Sequence, residues 1–292
     1  MSRLWNNAWE LCLRSPRLRR LLVRAWYESF TRIDHTGAVR FMNYGYAGPD
    51  GAAPIALEPT DEPNRYQIQL YRRVAGQVDL SRREVLEVGS GRGGGAAHVA
   101  AQLGPQRYLG VDISRGAVRF CQRRYALPHL HFQQGDAEKL DLAPESFDAV
   151  INIESSSHYG SVRKFLSEVR RVLRPGGDLL FADIRETHEV PGLLDDFHAA
   201  GLEVCQQENI SHGVARALDL DEIRKLDVIR RTTPQMLHGA LKEFGGLRGS
   251  EKYVAFQSGR YHYLVFLLRK PVAPAAHSTR AAYTDQPVSA EL

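Results

Sequence analysis

Between residues 84 and 183, short apolar runs alternate with stretches whose apolar residues recur every three or four positions, the rhythm of βαβ units and a parallel sheet. The runs predict strands at 84–89, 107–112, 130–134, 147–153 and 178–183. Between the second and third, Ser114 is placed to cap a helix whose Ala117, Val118, Cys121 and Tyr125 share one face. A later helix carries Val162, Phe165, Leu166, Val169 and Val172 on its apolar side and is stopped by Arg174-Pro175-Gly176-Gly177. Beyond residue 183 the pattern predicts a helix at 193–200, a strand at 202–206 and a mostly helical insert at 210–244, in which Leu218, Ile223, Leu226, Val228 and Ile229 read as a packed amphipathic face. A last strand, 261–268, is rich in β-branched and aromatic residues, and the Pro/Ala/Ser-rich tail 271–292 reads as disordered. The expected division is a helical cap over 1–80, a core over 81–270 and that tail.

The chemistry concentrates at strand ends. Glu87-Val88-Gly89-Ser90-Gly91-Arg92-Gly93-Gly94-Gly95 follows the first strand and opens into a helical run at 96–103. Glycines there let the backbone turn tightly and approach a ligand that a Cβ would push away. Alone, such a loop serves NAD, FAD or SAM (S-adenosylmethionine), or only a tight turn. Asp112 ends the second strand, 23 residues after Gly89, where a carboxylate can accept from both hydroxyls of a ribose. That position suits NAD and SAM equally. Glu87 adds an acid beside the loop, which would repel a pyrophosphate and suit a cationic amino acid group. Asp136, in Gly135-Asp136-Ala137-Glu138 after the third strand, is placed to accept from an adenine amino group, with Ala137 as a backbone donor.

These segments, residues 85–93, 110–112, 135–138, 146–150 and 172–177, resemble in order those of the class I SAM-dependent methyltransferases over about 100 residues. The resemblance implies a doubly wound, Rossmann-like α/β fold with a seven-stranded, mostly parallel sheet whose last strand is antiparallel. It implies SAM as cofactor, with Gly89 and Gly91 along its methionine part, Asp112 and the neighbouring Ile113 at the ribose, Asp136 and Ala137 at the adenine, and Glu87 and Asn152 close by. The N-terminal segments Phe41-Met42-Asn43-Tyr44-Gly45-Tyr46 and 57–65, taken with the core, look like the phthiotriol/phenolphthiotriol dimycocerosate methyltransferases and relatives that tailor bacterial polyketides. By that likeness Tyr44 and Tyr46 close over SAM. Their plainer role is lid packing.

The end of the fourth strand reads Asn152-Ile153-Glu154-Ser155-Ser156-Ser157-His158-Tyr159. It lacks the Asn/Asp-Pro-Pro-aromatic motif of enzymes that methylate DNA or protein amides, and no Pro-Cys nucleophile is present. His158 is the candidate general base, because a hydroxyl must lose its proton to accept a methyl group and imidazole titrates near neutrality. The plainer reading is a histidine that caps or packs beside the next helix. The dimycocerosate group places its histidine one position earlier, where this chain has Ser157, whereas sugar O-methyltransferases that resemble this segment have one at the position of His158. Asp183, ending the fifth strand, is the candidate to orient the imidazole or bind the acceptor, or is a helix cap or surface carboxylate.

Composition narrows the partners. A net charge of +4, from 38 basic and 34 acidic residues, is too small an excess to require nucleic acid. Cys12, Cys121 and Cys205 are widely spaced, which suits a reducing cytoplasm, and the 11 scattered histidines, His129 and His131 included, give no metal site. No stretch approaches the roughly 20 apolar residues of a membrane span. The first helix, with Arg14, Arg17, Arg19, Arg20 and Arg24 among leucines, is read as a cap with a solvated outer face, ahead of a membrane-surface or carrier-protein contact. The expected activity is O-methylation of a hydroxyl or enol on a polyketide- or lipid-like small molecule. Carbon methylation of a sterol- or quinone-like acceptor, and a SAM-fold cyclase or binding module without transfer, are the alternatives.

Overall fold

The computed structural model describes residues 37–49 and 55–272. The arginine-rich first helix and most of the tail lie outside them. The described chain begins with a coil that leads into helix α1 (Arg65–Ala75). The alternation read from the sequence then follows: β1 (Glu84–Val88), α2 (Gly94–Gln102), β2 (Arg107–Asp112), α3 (Arg115–Arg124), β3 (Leu130–Gln134), β4 (Phe147–Ile153), α4 (Val162–Val172), β5 (Leu173–Glu186), α5 (Val190–Ala199) and β6 (Glu203–Asn209). Helices α6 (Ser211–Leu220), α7 (Glu222–Thr232), α8 (His238–Phe244) and α9 (Glu251–Gln257) precede β7 (Tyr261–Arg269), so the helical stretch runs one helix past residue 244.

The strands form one seven-stranded sheet in the order β3-β2-β1-β4-β5-β7-β6, parallel except for β7, which runs antiparallel to both β5 and β6. Central strands read as continuous apolar runs because both faces are covered. Residue parity then sorts the core. Ala149, Ile151, Leu180, Ala182 and Val265 face the side covered by α1, α2, α3, α6 and α9. Val150, Leu179, Phe181 and Phe266 face α4 and α5. There Phe197 meets Phe181 and Phe266 edge to face, with centroids 5.3 and 5.1 Å apart. Edge strand β6 is mostly exposed and polar, as an unpaired edge should be.

Local signals place the ends. Ser114 accepts from the Ala117 amide at 3.1 Å and so caps α3. Ser161 does the same for Lys164 and α4. The fifth strand starts earlier than its apolar core, at Leu173, because Arg174-Pro175-Gly176-Gly177 is absorbed as a bulge opposite Phe147 and Ala149. The insert corrects one expectation. Helix α6 buries Val214, Ala217 and Leu218, but α7 buries none of its residues, and Ile223 is 84% exposed. Its apolar residues Val228 and Ile229 instead line a cavity, described below.

Candidate active site

All parallel strands deliver their carboxyl ends to one edge of the sheet, and the switch between β1, which leads to β2, and β4 opens the crevice in which such folds bind ligands. A pocket open to solvent occupies it. Its floor is the loop after β1, where Gly89, Gly91 and Gly93 take φ of +80°, +52° and +71°. The Gly89 and Ser90 amides donate to Val111 O at 2.8 and 3.1 Å, which ties the loop to β2. Asp112 holds it from the side: one carboxylate oxygen accepts from the Gly91 amide at 2.8 Å and the other from the Ser114 amide at 2.8 Å. At the end of β3, Asp136 accepts from the Glu138 amide at 3.0 Å, and Glu138 accepts from Gly160 N at 2.7 Å, which joins this loop to the one after β4.

Gly89, Gly91, Asp112, Ile113, Asp136, Ala137 and His158 are brought together on this cavity. Five expected residues are not. Glu87 points the other way, because side chains alternate along a strand, and is buried on the α1 side of the sheet. Its two oxygens accept from the hydroxyls of Tyr71 (2.7 Å) and Tyr108 (2.8 Å). Asn152 is buried behind the loop, where its amide donates to Val88 O (2.9 Å), Ser155 Oγ (2.8 Å) and Tyr159 Oη (3.0 Å) and braces β1 against β4. Asp183 is buried beneath the turn that carries His158. It accepts from Ser156 Oγ (2.5 Å), Ser157 N (2.8 Å) and Ile184 N (2.8 Å) and pairs with Arg185 at 3.2 Å. Burial penalises its charge, but Arg185, the Ser156 hydroxyl and the nearby His158 outweigh that and hold the carboxyl below its usual range. Tyr44 and Tyr46 do not line the cavity; Arg40, Phe41, Met42 and Asn43 from the same segment do.

Tyr44 borders a second cavity, walled by Val39, Val228, Ile229, Leu241 and Phe244 and sharing Phe41, Met42 and Asn43 with the first. The Tyr44 amide donates to Glu154 Oε1 at 2.9 Å, and Lys225 donates to Tyr44 O at 3.1 Å. Glu154, which the sequence reading left without a role in the favoured reaction, follows β4 on the first cavity with φ +51°. No local pattern announced it, since an acid at a strand end resembles any surface residue.

Burial raises the Glu87 carboxyl to about 7 and the Glu154 carboxyl to about 8, in each case against the hydrogen bonds that favour ionisation. Both bind protons more tightly in the folded chain, so their stabilising contribution is complete below about 4.5 and is lost as pH rises through 7 and 8. Burial lowers Lys225 to about 8, an opposite trend that sets in only above that value. Urea midpoints should therefore fall from pH 5 to pH 8, and Glu87→Gln should flatten the decline. Equal slopes in the two proteins would remove Glu87 as its source.

The Methyltransferase domain family matches residues 86–181, the span from β1 to β5 that builds the first cavity. The chain is 38% identical over 247 residues, 85% of its length and 91% of the relative's, to the phthiotriol/phenolphthiotriol dimycocerosates methyltransferase of Mycobacterium tuberculosis. The chain belongs to the class I SAM-dependent methyltransferases. This methyltransferase is also 36% identical over 264 residues to a fatty-acid O-methyltransferase of Mycolicibacterium smegmatis, covering 90% of this chain and 94% of that one. Its fold is that of the [4+2]-cyclase SpnF, with a TM-score of 0.65 at 21% identity over 86% of this chain and 95% of the other. Among the described residues of the methyltransferase, no helix is long and apolar enough to cross a membrane, and no three His, Cys, Asp or Glu side chains cluster as a metal site.

Proposed function

We propose that the chain transfers the methyl group of SAM to a hydroxyl or enol oxygen of a polyketide- or lipid-like small molecule. The observation that carries this reading is the apolar cavity beside the cofactor crevice, which shares Phe41, Met42 and Asn43 with it and offers a place for a chain whose oxygen must reach His158. The names of the relatives, a dimycocerosate methyltransferase and a fatty-acid O-methyltransferase, support the same class of acceptor.

The residues present suit SAM. Gly89, Gly91, Asp112, Ile113, Asp136 and Ala137 all line the cavity, and in this reading the glycines offer backbone without a Cβ to the methionine part, Asp112 and Ile113 take the ribose and Asp136 and Ala137 the adenine. When bound, SAM supplies an electrophilic methyl group. Alignment and deprotonation of the acceptor fall to the protein. His158 accepts the proton of the acceptor oxygen. Asp183, Ser156 and Ser157 hold the turn that carries it, which makes Asp183 a positioning residue. Glu87 and Asn152 serve the site from behind, as struts of β1, and Tyr44 belongs to the wall of the acceptor cavity.

The test is incubation with methyl-labelled SAM and long-chain acceptors bearing a hydroxyl, an enol or only a double bond, with the new methyl located by NMR. Label on oxygen is the expected result. Label on carbon would replace this reading by C-methylation, and an altered acceptor without label by a cyclase.

A further inference from the structure

Glu154 lines the first cavity and holds a residue of the second. It lines the cofactor crevice on the same short turn as His158, while Tyr44, whose amide it holds, lines the apolar cavity. Its backbone takes φ +51°, a left-handed conformation that is strained for a non-glycine residue. Two donors, the Tyr44 amide (2.9 Å) and the Tyr263 hydroxyl (2.8 Å), both converge on Oε1. Oε2 accepts no hydrogen bond from the described residues. A carboxyl fixed through one oxygen, in a strained backbone, presents the other to the cavity.

We infer that Glu154 determines specificity by donating a hydrogen bond from Oε2 to a carbonyl oxygen of the acceptor, beside the hydroxyl or enol oxygen that is methylated. The acceptor would then be a β-hydroxy or enolised β-dicarbonyl compound with an apolar remainder in the second cavity. This inference rests on the O-methyltransferase reading.

The surroundings favour the neutral, donating form. Burial and the charge of Asp183 on β5 raise the carboxyl to about 8, against the two donors and Lys225 on α7. Tyr71 on α1 and Lys252 on α9 also face it. Since Oε1 already accepts twice, the proton belongs on Oε2. A carbonyl satisfies that donor without bringing an O–H that would need its own partner in an apolar cavity.

The experiment compares a long-chain β-hydroxy ketone with the secondary alcohol of equal length that lacks the carbonyl, using labelled SAM. The wild-type protein should prefer the ketone by at least about tenfold in kcat/KM, the effect of one desolvated hydrogen bond. In Glu154→Leu the preference should shrink to within about threefold. Glu154→Gln should keep it, because Oε1 still accepts from Tyr44 and Tyr263 and the amide donates. Raising pH through 8 ionises the wild-type carboxyl, which then repels the carbonyl, so the preference should fall there and stay level in Glu154→Gln.

An unchanged preference in a Leu variant that still binds S-adenosylhomocysteine would overturn the inference while leaving O-methylation standing. Where the Leu variant does not fold, superimposable pH profiles of the wild type and Glu154→Gln would overturn it equally. Label on neither acceptor would count against the O-methylation reading itself and take the inference with it.

Discussion

Replacing His158 by alanine is expected to lower kcat by about 10²–10⁴-fold, the range for loss of a positioned general base, while the affinity for S-adenosylhomocysteine stays within about twofold of wild type. Hydrogen bonds from its neighbours hold the turn that presents the imidazole. Ser156 and Ser157 bond Asp183, Arg185 donates to Ser156 Oγ at 2.6 Å, and the His158 amide bonds Ser155 O at 3.0 Å through backbone alone. Truncating the side chain therefore removes the base and leaves the bonds that hold the turn. Asp183→Asn provides the contrast. It weakens a buried ion pair and leaves Arg185 with less compensation, which costs stability. The alanine variant should thus show a wild-type unfolding midpoint with little turnover, and the asparagine variant a lowered midpoint. A His158→Ala enzyme that turns over at the wild-type rate would strike the imidazole from the mechanism.

The parts of the site that were legible in the sequence are those whose geometry is local. The glycine loop, Asp112 and Asp136 each follow a strand end directly, and a parallel sheet delivers every such end to one edge. Glu87 was misplaced for a reason of symmetry. In a strand buried on both faces, Val85, Leu86 and Val88 give no sign of which parity faces the ligand edge, and only the tertiary arrangement shows that Glu87 turns toward Tyr71 and Tyr108. Tyr44 failed differently. The segment Phe41-Met42-Asn43-Tyr44 is coil, without a period to tell which side chains face the crevice, and Phe41 and Met42 took the place expected of the tyrosine. Ile223 fits a helical face in sequence, yet none of the described residues forms a layer that buries that face of α7. Glu154 needed long-range contacts to be seen, since its partners Tyr44 and Tyr263 are 110 and 109 residues away.

Gly89→Ala is the second change expected to act strongly, because it strikes the point at which β1 and β4 share the crevice floor. A Cβ there would lie 2.3 Å from Ser155 Oγ, 2.6 Å from Ser155 Cβ and 3.1 Å from Tyr159 Oη. Ser155 cannot simply swing aside, because its hydroxyl is held by Asn152 at 2.8 Å and Tyr159 at 2.7 Å in a knot around Val88 O. The backbone adds its own cost, since φ of +80° is a glycine conformation. Strain of about 1–2 kcal/mol from the backbone and about 1–3 kcal/mol from overpacking place the total near 3 kcal/mol. At about 2–4 °C per kcal/mol for a chain of this size, the unfolding midpoint should drop by roughly 6–12 °C. Relief comes only if the loop moves toward the cavity, so calorimetric titration should also find S-adenosylhomocysteine bound at least about tenfold more weakly. Wild-type values in both measurements would mean that the two loops do not touch, and the crevice floor described here would have to be redrawn.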